Sequence, residues 1–351
     1  MTGLAGKTHL QSRIHVSVDS RIELLSVMLQ MSGYGARYPG RINDDPSPYH
    51  QDIERYFGRY SDHESIRQFR NLNLLFSGDL PVTVTLYLSQ PPKLENRAPF
   101  DEMVCTRVKD DTVLSQYVAA LRQFAMDTDF YIFFAAHREY YTSLIADHEK
   151  SIREGNYLQA LENYYGWEQS AYFVIFAPLL KTVAFGPRVY KDNGDIETYC
   201  VFPAFDVAED GRITFKTGKA LQNRILHEFG HSFVNPLVEQ RKAEIAPYAR
   251  LMQSLTYNTL ANYGNEWHIS VYEHIVRAVT TRLTYEEYGA EAGEKELLAH
   301  EKQGFIYTRF LCKKMELYEN MRETWPTFQD FFPELICVFD TLAKDIKQSD
   351  A

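Results

Sequence analysis

Apolar and polar residues alternate over Ile14–Val18, which predicts a short strand, and the spacing then changes. Over Asp19–Met31, Ile22, Leu25 and Leu29 recur at intervals of three to four residues, which predicts a helix. Gly33–Pro48 is dense in Gly, Pro, Asn and Asp and predicts a loop. Helical spacing returns at Tyr49–Phe57, His63–Leu75, Asp111–Phe124, Phe130–Ile152 and Tyr157–Tyr165, while the alternation VTVTLYL at Val82–Leu88 predicts a strand. After Gly166 the character changes. Ser170–Ala177, Thr182–Phe185, Ile196–Pro203 and Arg212–Phe215 are rich in β-branched and aromatic residues. They are separated by turn signals such as Gly186-Pro187 and Asp192-Asn193-Gly194-Asp195. These predict a small, mainly antiparallel sheet. From Lys219 onward the pattern is mostly helical.

Helices, a sheet and then helices again imply an α+β fold. No repeat of 20–50 residues and no long Ser/Gly/Pro linker divides the chain. The expected organisation is a mainly helical region, 1–166, followed by a second region, 167–351, the two forming one compact unit. Of the 351 residues, 45% are hydrophobic and 24% charged, which excludes wholesale disorder. The net charge of −10 argues against a nucleic-acid partner. The longest apolar runs, Tyr131–Ala136 and Ala171–Leu180, are too short to span a bilayer. Cys105, Cys200, Cys312 and Cys337 are widely spaced with no CxxC pair, so all four are expected as buried thiols. The first residues lack the apolar stretch of a signal peptide, which implies a cytoplasmic protein unless a leader has been removed.

Residues 227–231 read His-Glu-Phe-Gly-His, an HExxH motif. On a helix, positions i and i+4 share a face, so His227 and His231 can hold one Zn²⁺ between them. Glu228 is rotated by roughly 100° from His227, so it can flank the metal without ligating it and act as general base on a zinc-bound water. Thr217 suits an N-cap, and Ile225, Leu226, Phe229 and Phe233 form an apolar face. Pro236 is expected to end the helix. Gly230 weakens a helix interior by about 1 kcal/mol, a cost that close packing beneath the site would explain.

A catalytic zinc needs a third protein ligand. The metzincin spacing would place Gly at 234 and His at 237, where this chain has Val234 and Leu237, so the ligand must lie farther on. Asn265–Leu283 reads as a helix apolar nearly all round, with Glu273 near its middle and Arg277 one turn later. Glu273 is the leading third ligand, with Arg277 orienting it or holding a substrate carboxylate. The other account is a plain i,i+4 ion pair. Glu266, His268, His274 and Glu244 are competing ligands. Tyr263, His268, His274 and Tyr285 are candidates for stabilising an oxyanion, and His137 reads as a packed helix histidine.

HEFGHSFVNP at 227–236 followed by YEHIVRA at 272–278 resembles the gluzincin superfamily of zinc peptidases. More narrowly, the chain is similar to an uncharacterised bacterial family, known only as a domain of unknown function, that carries an HEFxHSFVNP signature. The likeness extends upstream to Ser20–Gly33. It implies a zincin-like catalytic core with a small sheet and an active-site helix, flanked by helical regions. His227, His231 and Glu273 would be the ligands and Glu228 the base. Gluzincins often place an Asp four residues after the third ligand. Here that position is Arg277, and Asn235 is an alternative partner for a ligand histidine or else a helix cap.

The expected function is therefore that of a zinc metallopeptidase acting on a peptide or protein substrate. The alternatives are a catalytically silent zinc- or peptide-binding module on the same scaffold, and a non-peptide metallohydrolase. Lys181–Tyr190 or Thr198–Phe205 is the expected sheet edge for a bound peptide.

Overall fold

A computed structural model describes residues 12–72, 78–108, 110–181, 183–255 and 266–349. Thr182, Tyr263, Asn265 and the end of the helix expected at His63–Leu75 lie outside the described residues. The protein is α+β and packs as two compact units. Met1–Gly155 and Gln169–Ile225 form the first; Asn156–Glu168 and Leu226–Ala351 form the second. The change of character after Gly166 is one of secondary structure, whereas by packing the segment just before it goes with the C-terminal helices.

In the first unit, strands β1 (Ile14–Ser17), β2 (Ala171–Ala177), β3 (Arg188–Tyr190) and β4 (Ile196–Pro203) form a sheet in the order β1-β2-β4-β3. The expected antiparallel arrangement is corrected here. β1 and β2 are parallel, with Ile14 opposite Tyr172, and β2 and β4 are parallel, with Ala171 opposite Glu197. Only β3 runs antiparallel, against β4. Parallel strands need long crossovers, and the whole helical stretch between Ser17 and Ala171 is one of them. Turn signals report hairpins, so they revealed β3–β4 and not the rest. Two short strands, β5 (Asp206–Val207) and β6 (Ile213–Thr214), pair antiparallel by themselves. At the expected strand Thr182–Phe185, Phe185 makes a single antiparallel bridge to Val201. β4 lies inside the sheet, so Thr198–Phe205 is not an edge; β1 and β3 are.

Helix α1 (Ser20–Met31) follows β1 and is capped by Asp19, whose side chain accepts the Arg21 amide at 2.8 Å. Other helices of this unit include α2 (Pro48–Phe57), α3 (Leu80–Leu86), α4 (Asp111–Asp127) and α5 (Arg138–Glu154). The loop expected at Gly33–Pro48 includes a helical turn, Tyr34–Arg37. The helix expected over Phe130–Ile152 breaks at His137, whose Nδ1 lies 2.9 Å from the Phe133 carbonyl. α3 corrects the strand expected at Val82–Leu88. All seven of its residues are buried, so alternation there does not report a half-exposed sheet. Thr83 and Thr85 return their hydroxyls to the carbonyls of Asp79 (3.1 Å) and Pro81 (2.7 Å), which satisfies both side chains within a helix.

The second unit holds α6 (Tyr157–Tyr165), the motif-bearing part of α7 (Gly218–Gln240), α8 (Trp267–Tyr288), α9 (Ala290–Lys302), α10 (Thr308–Asn320) and α11 (Phe328–Ser349). α8 packs against α9 and α10. α6 stops at Gly166, where φ is 89° and a Cβ would lie 2.8 Å from the Pro326 carbonyl oxygen, so only glycine fits. Pro236 does not end α7, which continues to Gln240. Leu237 and Val238 beyond it are buried, and their packing offsets the helix bond that proline removes. No disulfide links the cysteines: Cys200 and Cys312 are buried as expected, whereas Cys105 and Cys337 are exposed. Among the described residues, no helix is long and apolar enough to cross a membrane.

One polar chain crosses the core of the first unit. Glu23 on α1 is 1% exposed. The Tyr49 hydroxyl donates to its Oε2 at 2.6 Å and lies 2.7 Å from the Tyr141 hydroxyl, while among the described residues Glu23 Oε1 has no hydrogen-bond partner. Burial pushes the Glu23 carboxyl up to about 8, against the opposing pull of the Tyr49 bond. A carboxyl raised in the folded state confers full stability below its unfolded pKa, and that stability is lost as pH rises through about 8. Glu23→Gln keeps the shape and removes the titration. Wild type should lose, relative to this variant, stability of the order of a few kcal/mol between pH 5 and pH 9, measured by urea unfolding. Parallel pH profiles for the two proteins would contradict this.

Candidate metal centre

α7 opens at Gly218, and the Thr217 carbonyl accepts the Leu221 amide at 3.4 Å, so Thr217 stands at the expected boundary. Ile225, Leu226, Phe229 and Phe233 are all buried. The face one turn along presents both motif histidines. His227 Nε2 and His231 Nε2 lie 3.2 Å apart. α8 brings Glu273 to them, with its carboxylate oxygens 3.7 Å from His227 Nε2 and 3.5 Å from His231 Nε2. These three side chains are the only group of three or more potential metal donors found among the described residues.

The donor set fits zinc. Ligands at about 2.0–2.1 Å in a tetrahedron stand roughly 3.3 Å from one another. The two imidazole nitrogens, 3.2 Å apart, are close to that, and each has a different Glu273 oxygen near it, Oε2 at 3.7 Å from His227 and Oε1 at 3.5 Å from His231; taking one donor atom from each residue, the set lies within 4.8 Å. Two imidazoles and one carboxylate are also the donor types zinc takes in catalytic sites. His231 Nδ1 lies 3.0 Å from Asn235 Oδ1. The tautomer donating from Nδ1 to Asn235 leaves a lone pair on Nε2, facing the other two donors. Asn235 is thus a partner for the histidine and not a cap, because the helix continues past it. Glu228 is 5% exposed on the same turn as His227 and lies outside the donor cluster.

Glu273 and Arg277 are both buried. Burial is the largest influence on the Glu273 carboxyl and acts to raise it. The charges of Arg277 and His231, with the Arg277 hydrogen bond, together hold it below the usual range. Arg277 Nη1 donates to the Glu273 side chain and, at 3.1 Å, to its backbone carbonyl. The guanidinium lies over the Phe305 ring, 3.6 Å from its centroid. Ligand-facing carboxylate and i,i+4 ion pair, set against each other from sequence, therefore coexist in one side chain.

The competing residues sit elsewhere. Glu266 is exposed at the start of α8, and His268 lies between Glu239 (3.5 Å) and Glu266 (3.4 Å). Glu244 pairs with Arg241. His274 is fully buried, with Nδ1 2.7 Å from the Ser270 carbonyl, and burial pulls it down to about 4. The Tyr285 hydroxyl donates to Glu294. Sequence reasoning missed Phe305 and Tyr165. Tyr165 on α6 stacks on Phe233, with ring centroids 4.3 Å apart and planes 4° from parallel. Neither has a local sequence signal, because each reaches the site from a distant segment.

Residues 14–338 match the family described as "Domain of unknown function (DUF4932)", and the chain belongs to that family. No curated protein and no solved structure matches it.

Gly230 lies between the two histidines. A Cβ there would stand 3.0 Å from Val276 Cγ1 and 3.4 Å from the Tyr165 hydroxyl. This is the close packing expected beneath the site. Gly230→Val should therefore lower stability by about 1–3 kcal/mol through overpacking, read as a lower urea midpoint at unchanged slope. A midpoint equal to or above that of wild type would show that the gap admits a side chain.

Proposed function

We propose that this protein is a zinc-dependent metallopeptidase with a gluzincin-like catalytic core. The observation that carries the reading is the convergence of His227, His231 and Glu273 into one donor cluster, with Glu228 on the same helical turn as His227. Zinc held there would supply Lewis acidity, polarising a substrate carbonyl and making water more acidic. The chain's own groups divide the remaining work. Glu228 takes the proton of the attacking water and passes it to the leaving amine. Asn235 fixes the His231 tautomer, and Arg277 keeps the buried Glu273 ionised.

Metal analysis joined to a peptide-library cleavage assay tests this. Purified protein should carry about one zinc per chain, and the double variant His227→Ala/His231→Ala should carry none. Glu228→Gln should keep its zinc and lose roughly 10²–10⁴-fold in cleavage. Glu273→Gln should lose at least about ten- to a hundredfold in zinc affinity. Full zinc affinity with lowered stability in that last variant would leave Glu273 with the ion pair alone. Zinc-loaded wild type that cuts no peptide would favour a binding module.

A further inference from the structure

The first unit carries a cavity of about 710 Å³ that shares no residue with the metal centre. Its floor is a row of rings. His15, Phe173 and Tyr199 sit opposite one another across β1, β2 and β4. His15 stacks on Phe173 with centroids 4.6 Å apart and planes 18° from parallel, and Phe173 stacks on Tyr199 at 4.7 Å and 19°. The rings thus repeat at the strand spacing and stand face to face like a short pile of plates. Tyr199 is buried, Phe173 half-buried and His15 exposed. β1 is an edge strand, and among the described residues no ring covers the far side of His15.

The walls are charged. Arg21 from α1, Arg97 from the segment after α3 and Arg153 from the end of α5 line the cavity, against two carboxylates, Asp19 and Glu197. Both carboxylates are already engaged. Arg21 donates to both oxygens of Asp19, at 3.0 and 2.8 Å. Glu197 takes Arg97, the Tyr199 hydroxyl (2.7 Å) and Lys191 (2.6 Å). Arg153 pairs with Glu149 at 2.8 Å and reaches the Ile14 carbonyl at 3.3 Å, which puts a guanidinium at the β1 edge beside His15. Counting the partners of the lining groups, four cations (Arg21, Arg97, Arg153 and Lys191) stand against three carboxylates (Asp19, Glu197 and Glu149), a local excess of one positive charge within a chain of net charge −10. Surplus positive charge in a cleft concentrates anions, and guanidinium groups match carboxylates in shape. The volume is that of a small-molecule site.

We propose that this cavity binds a small aromatic carboxylate. Its ring adds a further plate beyond His15, and its acid group faces the guanidiniums.

Benzoate is the probe, with benzamide, cyclohexanecarboxylate and inorganic phosphate as comparisons. Binding is measured by calorimetry at low salt on full-length wild type and on His227→Ala/His231→Ala, so that a carboxylate held by the metal centre is recognised. Benzoate should bind both proteins alike and weaken as salt is raised. Benzamide and cyclohexanecarboxylate should each bind about tenfold more weakly, which corresponds to roughly 1.4 kcal/mol for the charge and for the flat ring. Arg153→Gln and His15→Ala change exposed or half-exposed side chains, and each should weaken benzoate about tenfold with the thermal midpoint unchanged. Four results would overturn the proposal. They are no saturation by about 20 mM benzoate, equal binding of benzamide or cyclohexanecarboxylate, phosphate binding as tightly as benzoate, and loss of benzoate binding in the histidine double variant.

Discussion

A carboxylate buried inside the second unit governs much of what surrounds it. Glu273 lies on a helix that is apolar on nearly every side, where an unpaired charge is costly by several kcal/mol. Arg277 compensates it but brings a second buried charge, which rests on the face of Phe305. The carboxylate in turn faces two imidazole nitrogens only 3.2 Å apart. Two lone pairs at that distance repel unless a proton or a cation lies between them. Ion pair, imidazole pair and carboxylate therefore form one electrostatic unit, and each member makes sense only with the others in place.

Holding that unit together is a packing problem as much as an electrostatic one. α7 and α8 approach closely because Gly230 presents no side chain toward Val276. Phe233, one turn beyond Gly230 on α7, is fixed by the stack with Tyr165. Pro236 sits within the same helix and is carried by the burial of Leu237 and Val238. The histidines are thus set on a helix whose weak points, a glycine and a proline, are both stabilised by contacts from outside the helix.

Some of this was legible in the chain and some was not, for physical reasons. His227 and His231 could be paired from spacing alone because helix periodicity is local. Glu273 could be singled out because a charged residue in an all-round apolar helix demands a partner. Asn235 was visible as a possible partner, and the structure chose between partner and cap. The parallel order of β1, β2 and β4 was not legible, since strand pattern says where a strand is and not which strand lies beside it. α3 was misread because a helix buried on all sides shows no period of its own, so the threonines and valines of VTVTLYL read as a strand. Phe305 and Tyr165 reach the centre through tertiary packing, which leaves no trace in spacing.

The chain leaves the first unit for Asn156–Glu168, returns to it, and leaves again at Leu226. This path sets an order on synthesis. As the polypeptide emerges from the ribosome, α6 appears before β2 to β4 have been made, and well before the helices it will join. Tyr165 must therefore wait while the sheet is completed, its ring without the Phe233 face it later covers. Every segment of the first unit has been made once Ile225 is added, whereas the second is complete only when the last helices have been translated. No single cut in the chain separates the two units intact, so neither can be obtained whole by truncating the chain once.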